Sequence, residues 1–206
     1  MSIKRSVYYI ITLHFGGKKS RMDFMEWYCL MVKSGGEESF KKSFDETIKK
    51  SRLSQKPLNE AKITFFKKRM KNAKKIEYVQ ALFPGYVFMS TESLDAPLAA
   101  ATKKCRNFYH FLNTNADILR VQGKDMELLS NLLKFGETQG ISQAYFDQNQ
   151  RIVITKGPLA GFEGKITKIN RKQGRATVKI DLCNNEIKFD LAFEEISLSE
   201  SAKPAD

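Results

Sequence analysis

The chain has 206 residues, 42% of them apolar, and a formal charge of +12, which excludes a disordered protein and leaves room for one large or two small domains able to bury their own cores. The basic surplus points to a polyanionic partner, with nucleic acid ahead of a membrane surface. Cys29, Cys105 and Cys183 are widely spaced, odd in number and form no CxxC pair, so neither a disulfide framework nor a zinc site is expected; each reads as a small buried hydrophobe in a reducing cytoplasm.

In chain order, the apolar run at 7–13 follows Lys4-Arg5 but is too short to cross a bilayer, and no small-residue cleavage site follows it. Residues 1–24 are expected to be a disordered extension or the artefact of an upstream start, and no transmembrane segment appears later. Residues 26–33, rich in aromatic and β-favouring side chains, predict the first strand. Ser34-Gly35-Gly36 then offers an N-cap, and Phe40, Phe44 and Ile48 recur every four residues on a helix that reaches about Lys50. The Gly-Gly loop lacks the Lys-Ser/Thr of a nucleotide-binding loop, and Glu37 and Glu38 stand where phosphate would dock.

From 41 to 75 thirteen basic residues face three acidic ones, a local charge of +10. Residues 63–66 predict a strand, 67–75 a hairpin loop and 76–79 its return strand. The loop carries Lys67, Lys68, Arg69, Lys71, Lys74 and Lys75. This run is either a solvated face or a non-specific contact to a phosphate backbone, weakening as salt rises.

Leu82-Phe83-Pro84-Gly85-Tyr86-Val87-Phe88-Met89 is an aromatic strand broken by Pro-Gly. Pro84 has no N–H and fixes its φ, so it fits only an edge, a strand start or a bulge, and Gly85 permits a bend. Both faces beyond the bend are apolar, so either both are buried or one aromatic face is kept for a partner. A second helix is predicted over 94–105, a short aromatic strand over 108–112 and a third helix over 123–133. That order describes an α+β sandwich with helices on an antiparallel sheet. His110 stands alone, with no second histidine, cysteine or carboxylate pair beside it, so no catalytic or metal constellation is present.

Polar residues at 137–150 predict a linker after a first domain at 25–136. Beyond it the hydrophobicity alternates with period two at 152–154, 162–169, 175–182 and 187–191, with glycine-containing turns between, which predicts a small β-barrel at 151–198 and a tail at 199–206. Gly157, Pro158, Gly161, Gly164 and Gly174 oppose any refolding of this barrel into helix.

The segment 156–166 with Arg171-Lys172-Gln173-Gly174-Arg175 resembles the KOW motif at the C-terminus of NusG proteins, and Trp27-Tyr28 with Phe83-Pro84-Gly85-Tyr86-Val87 resembles their NGN domain. The resemblance covers 26–196 in the family order. It implies an NGN α/β sandwich followed by an SH3-like KOW barrel, and a transcription elongation and antitermination factor rather than an enzyme. It needs no cofactor or metal, and a cytoplasmic monomer is expected. An aromatic cavity, here Trp27, Tyr28, Phe83, Pro84 and Tyr86, would take the tip of the clamp helices of the RNA polymerase largest subunit. A basic face would lie along upstream or non-template DNA.

At the barrel position where general members carry an aromatic for ribosomal protein S10 or Rho, this chain has Cys183 beside Asn184 and Asn185, which puts both partners in doubt. Lys156, Lys165, Lys168, Arg171, Lys172 and Arg175 could instead meet an RNA hairpin through its phosphates, the alternative being that they only solvate the barrel. These features resemble the LoaP branch of specialised NusG proteins, operon-selective antiterminators. A general elongation factor coupled to S10 or Rho, and a ribosome-associated KOW protein, are the competing readings.

Overall fold

The computed structural model describes residues 25–72, 74–112, 118–183 and 185–197; the extension expected at 1–24 and the tail at 199–206 lie outside the described residues. The first domain runs β1 (Glu26–Val32), α1 (Glu37–Ser51), β2 (Ala61–Thr64), β3 (Lys67–Lys71), β4 (Glu77–Ala81), β5 (Tyr86–Thr91), α2 (Ala96–Lys103), β6 (Phe108–Phe111) and α3 (Gly123–Leu133). Its main sheet has the order β2-β5-β1-β6, all antiparallel.

Side chains alternate across a strand, so each central strand feeds two cores. From β1 and β5, Tyr28, Leu30, Val32, Val87 and Met89 pack with Phe40, Phe44 and Ile48 of α1 and Leu98 of α2. Trp27, Cys29, Tyr86 and Phe88 point to the opposite face, where α3 contributes Leu128, Leu129 and Leu132. Local chemistry fixes the helix starts. Asp95 caps α2 by accepting the Leu98 N–H at 2.8 Å. Gly36 precedes α1 with no side-chain cap, and acidic Glu37 and Glu38 occupy its first turn.

Two expectations are corrected. The lysine-rich run at 67–75 is not simply a loop, because Lys67–Lys71 forms β3, which pairs with β4 and, in parallel, with β7 (Thr138–Gln139). Charge hid the alternation: Lys68 and Met70 point inward while Lys67, Arg69 and Lys71 point out. The upstream strand accordingly ends at Thr64 rather than Phe66.

Nor is 137–150 a free linker. Besides β7, it contains β8 (Ser142–Phe146), a strand of the barrel. Its polar residues satisfy backbone groups that a loop would leave to water: the buried Gln139 donates to the Leu132 and Gly136 carbonyls at 3.2 and 2.7 Å. Lys41 and Lys62 hold Glu137 at 3.6 and 3.7 Å.

The barrel continues with β9 (Ile152–Lys156), β10 (Ile166–Asn170), β11 (Arg175–Leu182) and β12 (Asn185–Glu195), in the order β10-β11-β12-β8-β9, with β12 and β8 parallel. Gly174 turns β10 into β11 at φ 60°, and a Cβ there would meet the Phe193 carbonyl oxygen at 2.4 Å, so no other residue fits without displacing β12.

Candidate functional site: an aromatic face beneath the barrel

The Pro-Gly break is a turn held from two sides. Gly85 takes φ 85°; its N–H donates to the Glu37 carboxylate at 2.6 Å, and its carbonyl accepts the Val32 N–H at 2.8 Å. Glu37 also accepts the Gly35 N–H at 3.1 Å. This buried carboxylate therefore ties the start of α1 to the turn before β5, a role not expected from the sequence. The signal was the acidic first turn beside two glycines, but its partner lies far along the chain.

From this turn the chain delivers an aromatic cluster to the face opposite α1. Phe83, Phe88 and Phe66 meet edge to face, with centroids 5.6 to 6.4 Å apart. Trp27, Tyr86 and Cys29 share that face. Of the five cavity residues expected from the sequence, Trp27, Phe83 and Tyr86 are thus brought together. Tyr28 is not among them, because strand alternation turns it to the helix side, where its hydroxyl donates to Glu26 at 2.5 Å and burial, then Glu26, pushes its pKa up to about 12. Pro84 is exposed at the turn and shapes the face without lining it. Phe66 and Phe88 were missed; the period-two relation of Phe88 to Tyr86 was the available signal.

The barrel sits on this face. Phe189 of β12 meets Phe83 at 5.0 Å with perpendicular rings and is backed by Phe162 at 6.1 Å. Leu159, Phe162, Val178, Ile180, Leu182 and Phe189 join Trp27, Phe83 and Phe88 in one continuous core. Phe83 is only 2% exposed. The Trp27 indole N–H is buried there with no hydrogen-bond acceptor among the described residues.

A polar rim closes the same boundary. Arg175 of β11 donates through Nη2 to the Lys71 carbonyl at 3.2 Å and the Tyr78 hydroxyl at 3.3 Å. Lys71 pairs with Glu194 of β12, and Asp125 of α3 accepts the Cys183 N–H at 3.1 Å. Lys68 is 6% exposed. Burial lowers its pKa, with Asp190 opposing and Arg175 adding to the shift.

The expected nucleic-acid residues accordingly divide. Lys68, Lys71 and Arg175 belong to the domain boundary. Arg171 pairs with Glu195 and stacks over Phe146 at 4.2 Å, and Lys67 bonds Glu38 at 3.2 Å. Arg69, 3.9 Å from Glu77, is exposed. Lys74 and Lys75 at the β3–β4 turn, and Lys156, Lys165, Lys168 and Lys172 on the barrel, are exposed and have no ion pair among the described residues. No group of three or more His, Cys, Asp or Glu among the described residues could hold a metal, and no described helix is long and apolar enough to cross a membrane.

A helix-backed antiparallel sheet joined to a five-stranded barrel, with an aromatic face at their boundary, defines a two-domain protein of NGN–KOW architecture. The family model described as "Transcription termination factor nusG" matches residues 25–130 and that of the KOW motif matches 148–179. The chain belongs to the NusG family. It is 24% identical over 180 residues to the transcription termination/antitermination protein NusG of Thermus thermophilus, covering 84% of this chain and 97% of that one. The same-named protein of Pasteurella multocida is 22% identical over 176 residues, with 82% and 93% covered. Among solved structures, one described as "Domain interaction in Thermotoga maritima NusG" superposes with a TM-score of 0.55 at 18% identity, covering 82% of this chain and 93% of that chain, a likeness of fold.

Proposed function

We propose that this chain is a transcription elongation and antitermination factor that docks on the clamp helices of the RNA polymerase largest subunit through Trp27, Phe83 and Tyr86, with Phe66 and Phe88 beneath them. The observation that carries the reading is the aromatic cluster built on the outer face of the NGN sheet. A helix tip needs an apolar concavity with a few polar anchors, and the Trp27 N–H, without an acceptor under the barrel, is a donor that a docked helix would satisfy. Bound polymerase would then be held in its elongating state, a shift of population and not a chemical step.

Because Phe189 and Phe162 cover the same face, barrel and polymerase compete for it, and docking requires the barrel to leave. The exposed cations of the β3–β4 turn would lie along upstream or non-template DNA. Those of the barrel would meet RNA phosphates on a selected leader transcript, in the manner of an operon-specific cytoplasmic regulator acting as a monomer. S10 or Rho would have to approach a β11–β12 turn that Asp125 already holds, which supports the specialised reading over the general one.

The test is association of the full chain with core polymerase. Phe83→Ala and Tyr86→Ala should abolish it, whereas Phe189→Ala, which takes the covering ring off Phe83, should strengthen it. Equal binding by all three variants overturns the assignment.

A further inference from the structure

The domain boundary also brings together two cysteines that lie far apart in sequence. Cys29 sits mid-strand in β1 with its side chain on the aromatic face, and Cys183 sits in the turn between β11 and β12. Both are free thiols, and both line one cavity of about 140 Å³ with Leu112, Arg120, Gln122 and Asp125.

The Cys183 turn is held in place. Its residue takes φ 49°, its N–H donates to Asp125 at 3.1 Å and its carbonyl accepts from Asn185 Nδ2 at 3.0 Å. Its side chain packs against the core that contains Cys29, so the two thiols face one shared cavity. They differ in reactivity. Cys29 is buried, and burial followed by the Cys183 neighbour pushes its thiol well above the usual range. Cys183 is half-exposed and is the sulfur that a solution oxidant reaches first. Cys105 lies in the other core, next to Ala101 O at 3.5 Å and Thr47 Oγ1 at 3.8 Å, and cannot join them.

We propose that Cys29 and Cys183 form a redox-sensitive pair whose disulfide fastens the barrel over the aromatic face. The oxidant is a peroxide. The Cys183 thiolate attacks one peroxide oxygen, breaking the O–O bond, and becomes a sulfenic acid while hydroxide leaves and takes up a proton as water. The Cys29 sulfur then attacks the Cys183 sulfur, the S–S bond forms, the S–O bond breaks, and the hydroxide leaves with the Cys29 proton as a second water. Two thiols are oxidised by two electrons in all, and one peroxide is reduced to two waters. A thiol reductant reverses the bridge by exchange. The regulatory consequence rests on the docking reading above, since a bridged chain could not release the barrel.

The experiment treats the full chain with hydrogen peroxide, then unfolds it, alkylates free thiols and maps the peptides. The expected result is joint loss of alkylation at Cys29 and Cys183 with Cys105 unchanged, a crosslinked Cys29–Cys183 peptide, and recovery of both thiols with dithiothreitol. Phe189→Ala, which loosens the boundary, should slow bridging several-fold. Sulfinic Cys183 with Cys29 still free, or bridges only between molecules, overturns the proposal. Bridging that leaves polymerase association unchanged supports the cysteine pair and overturns the docking reading instead.

Discussion

Phe83 at the end of the Pro-Gly turn and Phe189 on β12 meet edge to face with centroids 5.0 Å apart, and this one contact joins the two domains at the centre of the aromatic face. Neither ring is exposed. Whatever docks on Phe83 must first displace Phe189.

Trp27 is the only tryptophan in the chain and lies beneath the barrel, so it reports on that displacement. Phe189→Ala should move Trp27 emission to longer wavelength and raise its quenching by iodide. The wild-type chain should show the same change on warming, before the far-ultraviolet signal is lost. Truncating a buried phenylalanine costs about 3–5 kcal/mol in a closed core, ample to separate domains held by one boundary. An unshifted Trp27 spectrum in the variant would show that other contacts hold the barrel in place.

Arg175→Ala should weaken closure and leave nucleic-acid affinity nearly unchanged, because its guanidinium is engaged by the Lys71 carbonyl and the Tyr78 hydroxyl. The expected loss is about 1–3 kcal/mol, read from the same fluorescence. Lys172→Ala should do the reverse, leaving Trp27 silent and reducing the slope of log affinity against log salt for structured RNA by about one. Equal loss of RNA affinity in both variants would place Arg175 on RNA instead.

Lys68 carries its charge into the boundary at a cost that Asp190 offsets only in part. Lys68→Met should therefore stabilise the closed arrangement, visible as a blue shift and later melting of Trp27 emission. The pH dependence follows from the direction of the shift. Burial lowers the Lys68 pKa below 10.5, so the closed state binds fewer protons than the open one across the window between the lowered value and 10.5. Closure therefore strengthens as pH rises through that window. The methionine variant should lose this slope; a slope that persists belongs to another group.

Glu37→Gln should lower the thermal midpoint by destabilising the first domain by about 1.5–3 kcal/mol, the range for a hydrogen bond to a charged acceptor. Its carboxylate holds the Gly85 and Gly35 N–H groups together. Polymerase association should fall with it, because Phe83 and Tyr86 flank the turn that loses its anchor. An unchanged midpoint would mean that the Val32 to Gly85 bond is sufficient.

Much of this architecture is legible in local pattern. Phe40, Phe44 and Ile48 at helical spacing identify α1 and its buried stripe, and the alternation of Arg175–Leu182 identifies a barrel strand. Charge defeated the pattern at Lys67–Lys71, where a buried lysine breaks the rule that inward positions are apolar. Polarity defeated it again at Thr138–Gln139 and Ser142–Phe146, where buried side chains find backbone partners that no local window contains.

The candidate site divides the same way. Trp27 and the Phe83–Tyr86 turn could be singled out from residue type and spacing, as could the family to which they belong, because a strand's two faces and a Pro-Gly break are properties of neighbouring residues. Strand parity in the assembled sheet decided that Tyr28 faces away from Trp27. The tertiary structure alone decided that Phe189 covers Phe83, that Arg175 and Lys68 serve the boundary, and that Cys183 shares a cavity with Cys29. Those contacts join residues far apart in the chain, and their energy comes from burial and satisfied polar groups that exist only once both domains are folded and closed.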